Sequence, residues 1–188
     1  MILSQFQTVG RDLFTRGLVS SHSGNLSIRL GERIIITRRG SMLNCLQEHD
    51  LIETGISKNS RSTPLASTDL AIHRAIYRET QALAIVHAHP PHAVALSMTD
   101  AEIVPGVEDF SLIGTVPVVG WNVDTKIKSL ADIVAQALKQ HRIIMVHNHG
   151  SFATGQLLEE AYNFTTALEQ SSQVLCLMRS LQVSPIKE

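Results

Sequence analysis

The chain has 188 residues, the size of one ordinary domain, and its 44% hydrophobic and 18% charged content excludes a disordered chain. A formal net charge of −1 offers no basic face for nucleic acid, although Arg33, Arg38 and Arg39 make a local basic spot suited to a small anion. No apolar run is long enough to cross a bilayer, and the first residues, MILSQFQTVGRDLF, lack the basic-then-apolar order of a signal peptide, so the expectation is a cytoplasmic protein with no membrane partner.

Leu3, Phe6, Val9 and Leu13 recur at helical spacing and predict an opening helix over 3–16. A polar stretch, Ser20 to Asn25, leads into an alternating strand over 26–30, then a turn at Gly31-Glu32 and a second strand over 33–37. Residues 52–64 are rich in Ser, Thr, Gly, Asn and Arg and read as a loop. Ser67 or Thr68 is the expected N-cap of a helix running through Leu70, His73, Ile76 and Tyr77, with Asp69 in its first turn. Short apolar runs at 82–87, 115–119 and 142–147 read as strands. Ile127, Leu130, Val134 and Leu138 mark a helix between the last two. The final helix starts near Leu157, with a stripe of Leu157, Ala161, Phe164, Leu168, Leu175 and Met178. Helices and strands alternate without strict βαβ regularity. The expected fold is therefore α/β: a three-layer αβα single domain over 1–188 around a mixed, largely antiparallel sheet. Cys45 and Cys176 sit among apolar neighbours and are expected to be buried, reduced thiols.

The nine histidines cluster, and the clusters fall at strand ends. In a strand, residues two apart share a side, so His87 and His89 can present two imidazoles to one ion before Pro90-Pro91 turns the chain. Alone, His-x-His describes many ordinary strand ends. The second cluster, His147-Asn148-His149 after the strand at 142–147, can supply a third ligand. Zinc held by three protein nitrogens keeps a fourth position open for substrate or water, the catalytic arrangement. Gly150 suits a close backbone approach beside such an ion. Asp69 either answers the helix dipole or acts as a catalytic carboxylate. Beside it, Ser67 and Thr68 offer hydroxyls and free backbone N–H groups at a helix start, which suit a phosphate. Ser23-Gly24-Asn25 and Thr37-Arg38-Arg39-Gly40-Ser41 offer two more turns of the same kind.

These segments, in this order and spacing, resemble the class II aldolase/adducin family over roughly Ser4 to Met178. The resemblance implies that His87, His89 and His149 bind zinc (Zn2+), that Gly24, Asn25, Gly40, Ser67 and Thr68 hold a substrate phosphate, and that Asp69 is the catalytic carboxylate. It further implies a homotetramer, and cleavage of a ketose phosphate of the L-fuculose-phosphate kind to dihydroxyacetone phosphate and a short aldehyde. A 4-epimerase of the L-ribulose-phosphate kind, a sugar-phosphate dehydratase and a non-enzymatic adducin-like binding module are the alternatives. Four departures from the aldolase pattern stand out. Asp69 replaces the aldolases' usual glutamate and matches the epimerases; Arg39 replaces a common threonine; His22 adds an imidazole beside the anion loop; and the only tyrosines, Tyr77 and Tyr162, do not match the tail tyrosine that aldolase and epimerase use.

Overall fold

A computed structural model of the chain describes residues 2–121 and 129–182. One eight-stranded sheet runs through it in the order β3-β2-β1-β4-β8-β7-β6-β5. The strands are β1 (Asn25–Leu30), β2 (Arg33–Thr37), β3 (Leu51–Gly55), β4 (Ala84–Ala88), β5 (Glu102–Ile103), β6 (Val116–Val119), β7 (Ile143–Val146) and β8 (Gly150–Gly155). Every neighbouring pair is antiparallel except β6 and β7. The helices are α1 (Ile2–Thr15), α2 (Leu70–Glu79), α3 (Pro91–Ser97), α4 (Val107–Ile113), α5 (Leu130–Ala137) and α6 (Leu158–Ser180).

Period-two alternation sorts the core into two layers. On one face, Leu26, Val86, Ile143, Met145 and Ala153 pack with Phe6, Val9 and Leu13 of α1 and Ala161, Phe164 and Leu168 of α6. On the other, Ile36, Ile85, Ile144 and Phe152 pack with Ile72, Ile76 and Tyr77 of α2 and Val134 of α5. This is the expected three-layer αβα sandwich, and its central strand β4 is buried along its whole length. Among the described residues, no helix is long and apolar enough to cross a membrane.

Several local expectations are corrected. The stretch from Leu51 to Gly55 is a strand, not a loop: Ile52 and Thr54 point inward, and Thr54 is satisfied by the Thr63 hydroxyl at 2.6 Å and Arg74 at 3.1 Å. The N-cap of α2 is Asp69 itself, with Ser67 Oγ accepting the Asp69 N–H at 3.3 Å. The last helix buries Leu158 and leaves Leu157 exposed. Cys45 is exposed and Cys176 only half-buried, where partial burial pushes its thiol pKa up. Asp109, for which the sequence offered no role, is half-buried and accepts from the Ser171 hydroxyl at 2.5 Å. Ile127, expected to open α5, lies outside the described residues.

Candidate active site

The site forms where β4 ends beside β8, on the face covered by α2. Residues Asn25 of β1, His87 of β4 and Phe152 of β8 are direct cross-strand neighbours, so all three project toward α2. Phe152 stacks on the His87 ring at 4.1 Å and 14°, fixing the imidazole plane. His87 Nδ1 lies 2.9 Å from the Ser151 carbonyl. A carbonyl only accepts, so Nδ1 carries the proton and Nε2 keeps its lone pair.

His89 follows two residues on, with its backbone N–H tied to Leu18 O at 2.7 Å. The His147–His149 segment turns the chain from β7 into β8, with Asn148 at a φ of 50° and the His149 N–H closing onto Val146 O at 3.1 Å. One ligating nitrogen from each of His87, His89 and His149 lies within 4.8 Å of the others. His87 Nε2 and His89 Nε2 are 3.1 Å apart, close to the ~3.3 Å between two corners of a tetrahedral zinc shell with bonds of about 2.0–2.1 Å. The donor set therefore fits a divalent ion. Burial, then the neighbouring His89, lowers the His87 pKa to about 3, and burial lowers that of His89 as well, so both rings are neutral and able to ligate near neutral pH.

Two glycines make room for this arrangement. A Cβ on Gly150 would lie 2.4 Å from Ala88 O and 2.5 Å from the His89 ring. A Cβ on Gly24, which has a φ of 74°, would lie 2.9 Å from His87 O.

Asp69 Oδ2 accepts from Asn25 Nδ2 at 2.7 Å and lies 3.6 Å from His87 Nε2. A cleft of about 200 Å³ joins the carboxylate and the three histidines to Gly24, Asn25, Gly40, Ser67 and Thr68. Every sequence-derived site residue thus borders one cavity. His22, Arg38 and Arg39 line it too, and the two guanidinium groups have no acidic partner among the described residues.

Two histidines of the clusters turn elsewhere: the His147 ring packs on Trp121 at 4.3 Å, and His92 Nδ1 bonds Glu169 of α6 at 2.7 Å. His73 is fully buried: its backbone N–H bonds the Asp69 carbonyl at 3.1 Å, and its ring reaches the Asp69 carboxylate through Asn25. Tyr77 is buried behind the site and Tyr162 donates to Asp12, so neither faces the cleft. A larger cleft of about 670 Å³ lies at the opposite strand ends, lined by Ala82, Arg142 and Gly155. No group of three metal-ligating side chains lies there among the described residues.

Fold and site together define an αβα scaffold with three converging imidazoles able to hold a metal ion and an adjacent carboxylate. The model of the family "Class II Aldolase and Adducin N-terminal domain" matches residues 4–176, and the chain belongs to that family. It is a metal-dependent lyase by that membership and by its relatives. An L-fuculose phosphate aldolase of Methanococcus maripaludis strain C5 is 31% identical over 186 residues, covering 96% of this chain and 99% of that protein. The crystal structure of l-fuculose-1-phosphate aldolase from Thermus thermophilus superposes with a TM-score of 0.88 at 36% identity, covering 98% of each chain. A probable bifunctional methylthioribose-1-phosphate isomerase/methylthioribulose-1-phosphate dehydratase of Nocardia farcinica is 27% identical over 88% of this chain, which spans only 34% of that longer protein.

Proposed function

We propose that the chain is a zinc-dependent aldolase that cleaves a ketose phosphate of the L-fuculose-phosphate kind to dihydroxyacetone phosphate and a short aldehyde. The observation that carries this reading is the single cleft in which His87, His89 and His149 meet Asp69 and three anion-suited turns. A zinc ion held by the three imidazoles supplies Lewis-acid polarisation of a substrate carbonyl. The protein's own groups do the rest. Ser67, Thr68, Gly24, Asn25 and Gly40 hold the phosphate, with the Arg38 and Arg39 charges beside it. That binding orients the reacting carbon beside Asp69. In cleavage the carbon–carbon bond breaks, and the hydroxyl of the departing half gives up its proton as it becomes the aldehyde. Asp69 delivers a proton to the carbon left behind, removing it again in the reverse condensation; its Oδ1 is free of the Asn25 bond that Oδ2 accepts.

Asp69 in place of glutamate favours a second reading within the same family, a 4-epimerase, and a sugar-phosphate dehydratase is the third. Incubation with L-fuculose 1-phosphate, L-ribulose 5-phosphate and methylthioribulose 1-phosphate separates them: release of dihydroxyacetone phosphate marks the aldolase, a new epimer the epimerase, loss of water the dehydratase. Replacement of Asp69 with Asn is expected to lower kcat by about 100-fold or more while zinc stays bound. Turnover unchanged in that variant removes Asp69 from the chemistry. The proposal extends to a cytoplasmic homotetramer. Val174, Leu177 and Leu181, exposed along the end of α6, are apolar surface that subunit contacts would cover, and a monomer in size-exclusion chromatography with light scattering overturns that part.

A further inference from the structure

Behind the cleft lies a line of polar side chains that packing alone does not require. Ser27 of β1 and His73 and Tyr77 of α2 are fully buried, and Asn25 nearly so. Residues two apart on β1 and four apart on α2 share a face, which brings the two pairs together. The contacts run from Tyr77 Oη to Ser27 Oγ at 2.7 Å, from Ser27 Oγ to His73 Nδ1 at 2.7 Å, from His73 Nε2 to Asn25 Oδ1 at 2.6 Å, and from Asn25 Nδ2 to Asp69 Oδ2 at 2.7 Å.

The direction of every bond follows from the carboxylate end. A carboxylate only accepts, so the Asn25 amide turns its N–H groups to Asp69 and its carbonyl to His73. The carbonyl only accepts, so His73 carries its proton on Nε2. His73 Nδ1 then accepts from the Ser27 hydroxyl, and the Ser27 oxygen accepts from Tyr77. Burial lowers the His73 pKa to about 4, so the ring holds one proton and a single direction near neutral pH. An apolar quartet of the same volume would fill this space without ordering anything. The polar line forbids the alternative amide rotamer, in which Asn25 Oδ1 would face Asp69 as acceptor against acceptor.

We propose that His73, oriented by Ser27 and Tyr77, is a positioning residue for the lyase reaction. It locks the Asn25 amide so that Asp69 stays turned toward the metal-binding histidines. This rests on the reading of Asp69 as the catalytic carboxylate.

The test has two arms on the full-length, zinc-loaded chain. In the first, long-range 1H–15N correlation spectra of 15N-histidine-labelled protein read the His73 tautomer directly, without activity or variants. The Nε2–H form is expected at neutral pH, and an Nδ1–H form overturns the proposal. In the second, kcat and KM for L-fuculose 1-phosphate cleavage are measured in His73→Phe, His73→Gln, Asn25→Ala and the His73→Phe/Asn25→Ala double variant, with zinc content and melting temperature alongside. Loss of about tenfold or more in kcat is expected for His73→Phe, with KM within roughly threefold and zinc retained. The glutamine, which keeps a donor, should recover most of that loss. The double variant should be no worse than Asn25→Ala, because His73 acts through Asn25. Losses that add in the double variant, or a kcat in His73→Phe equal to the wild type, overturn the proposal. A wild-type chain that cleaves no ketose phosphate overturns the aldolase reading instead, and the tautomer then decides whether the hydrogen-bonded line exists.

Discussion

Replacing Gly150 with Ala should strike the metal centre through packing alone. The added Cβ would meet the Ala88 carbonyl at 2.4 Å, the His89 ring at 2.5 Å and the His87 ring at 3.2 Å. Side-chain carbons do not approach backbone oxygens closer than 3.0 Å, so β8 or β4 must give by at least 0.6 Å, the difference between 3.0 and 2.4. Neither strand can give without strain, because Ala88 and Ser151, His87 and Phe152, and Val86 and Ala153 are paired in register across them. Overpacking of this kind costs about 1–3 kcal/mol of stability. Because two of the three contacted groups are the imidazoles proposed to hold zinc, zinc affinity should fall as well, by roughly 10–100-fold, as when the groups supporting a ligand are lost. Urea denaturation of the metal-free protein gives the first number, and competition with a chromogenic chelator gives the second. Gly106→Ala is the control, since its Cβ meets nothing within 4 Å and its φ lies outside the positive range that side chains avoid. A Gly150→Ala protein with wild-type urea midpoint and wild-type zinc affinity would refute the close β4–β8 approach on which the site is built.

Acid should destabilise the metal-free protein early. His73 is held to about 4 against an ordinary 6.5, so between those values the unfolded chain binds a proton that the native one refuses. Stability is then complete above pH 6.5 and falls as the pH drops toward 4, by about 3 kcal/mol from this residue alone. Buried His87 acts in the same direction. Urea midpoints that stay flat from about pH 7.5 to about pH 4.5 would contradict this. Changing both Arg38 and Arg39, which line the cleft without acidic partners, to Gln should raise KM for a phosphorylated substrate roughly tenfold with little change in kcat. An unchanged KM would place the substrate's anion elsewhere. Zinc bound to wild-type protein should raise the melting temperature, and a chelator should reverse the gain, since the ion binds only the folded site.

The parts of the fold written in strong periodicity were legible from the residues. The α1 face at Phe6, Val9 and Leu13, and the apolar runs that became β4 and β7, buried as their patterns require. The closeness of His87 to His89 follows from period-two geometry alone. What stayed hidden was encoded in small and polar residues. β3 carries Glu53 and Thr54, and its inward threonine is satisfied only by Thr63 and Arg74, which the local sequence does not announce. β8, Gly150-Ser-Phe-Ala-Thr-Gly155, carries no strong strand pattern between its bounding glycines, yet the absent side chain of Gly150 is what lets it lie against the two histidines. The line behind Asp69 also went unread as a unit. Its signal was present, polar residues two apart on a strand and four apart on a helix, but only the β1–β4 register and the packing of α2 bring the pairs together.

Metal content measured by elemental analysis, in the purified wild type and in His89→Ala after dialysis against zinc, tests the centre of the account. About one zinc per chain in the wild type and none in the variant is the expected result, from the convergence of His87, His89 and His149. A wild-type protein that holds no metal after zinc is supplied, or a variant that holds as much as the wild type, would contradict it.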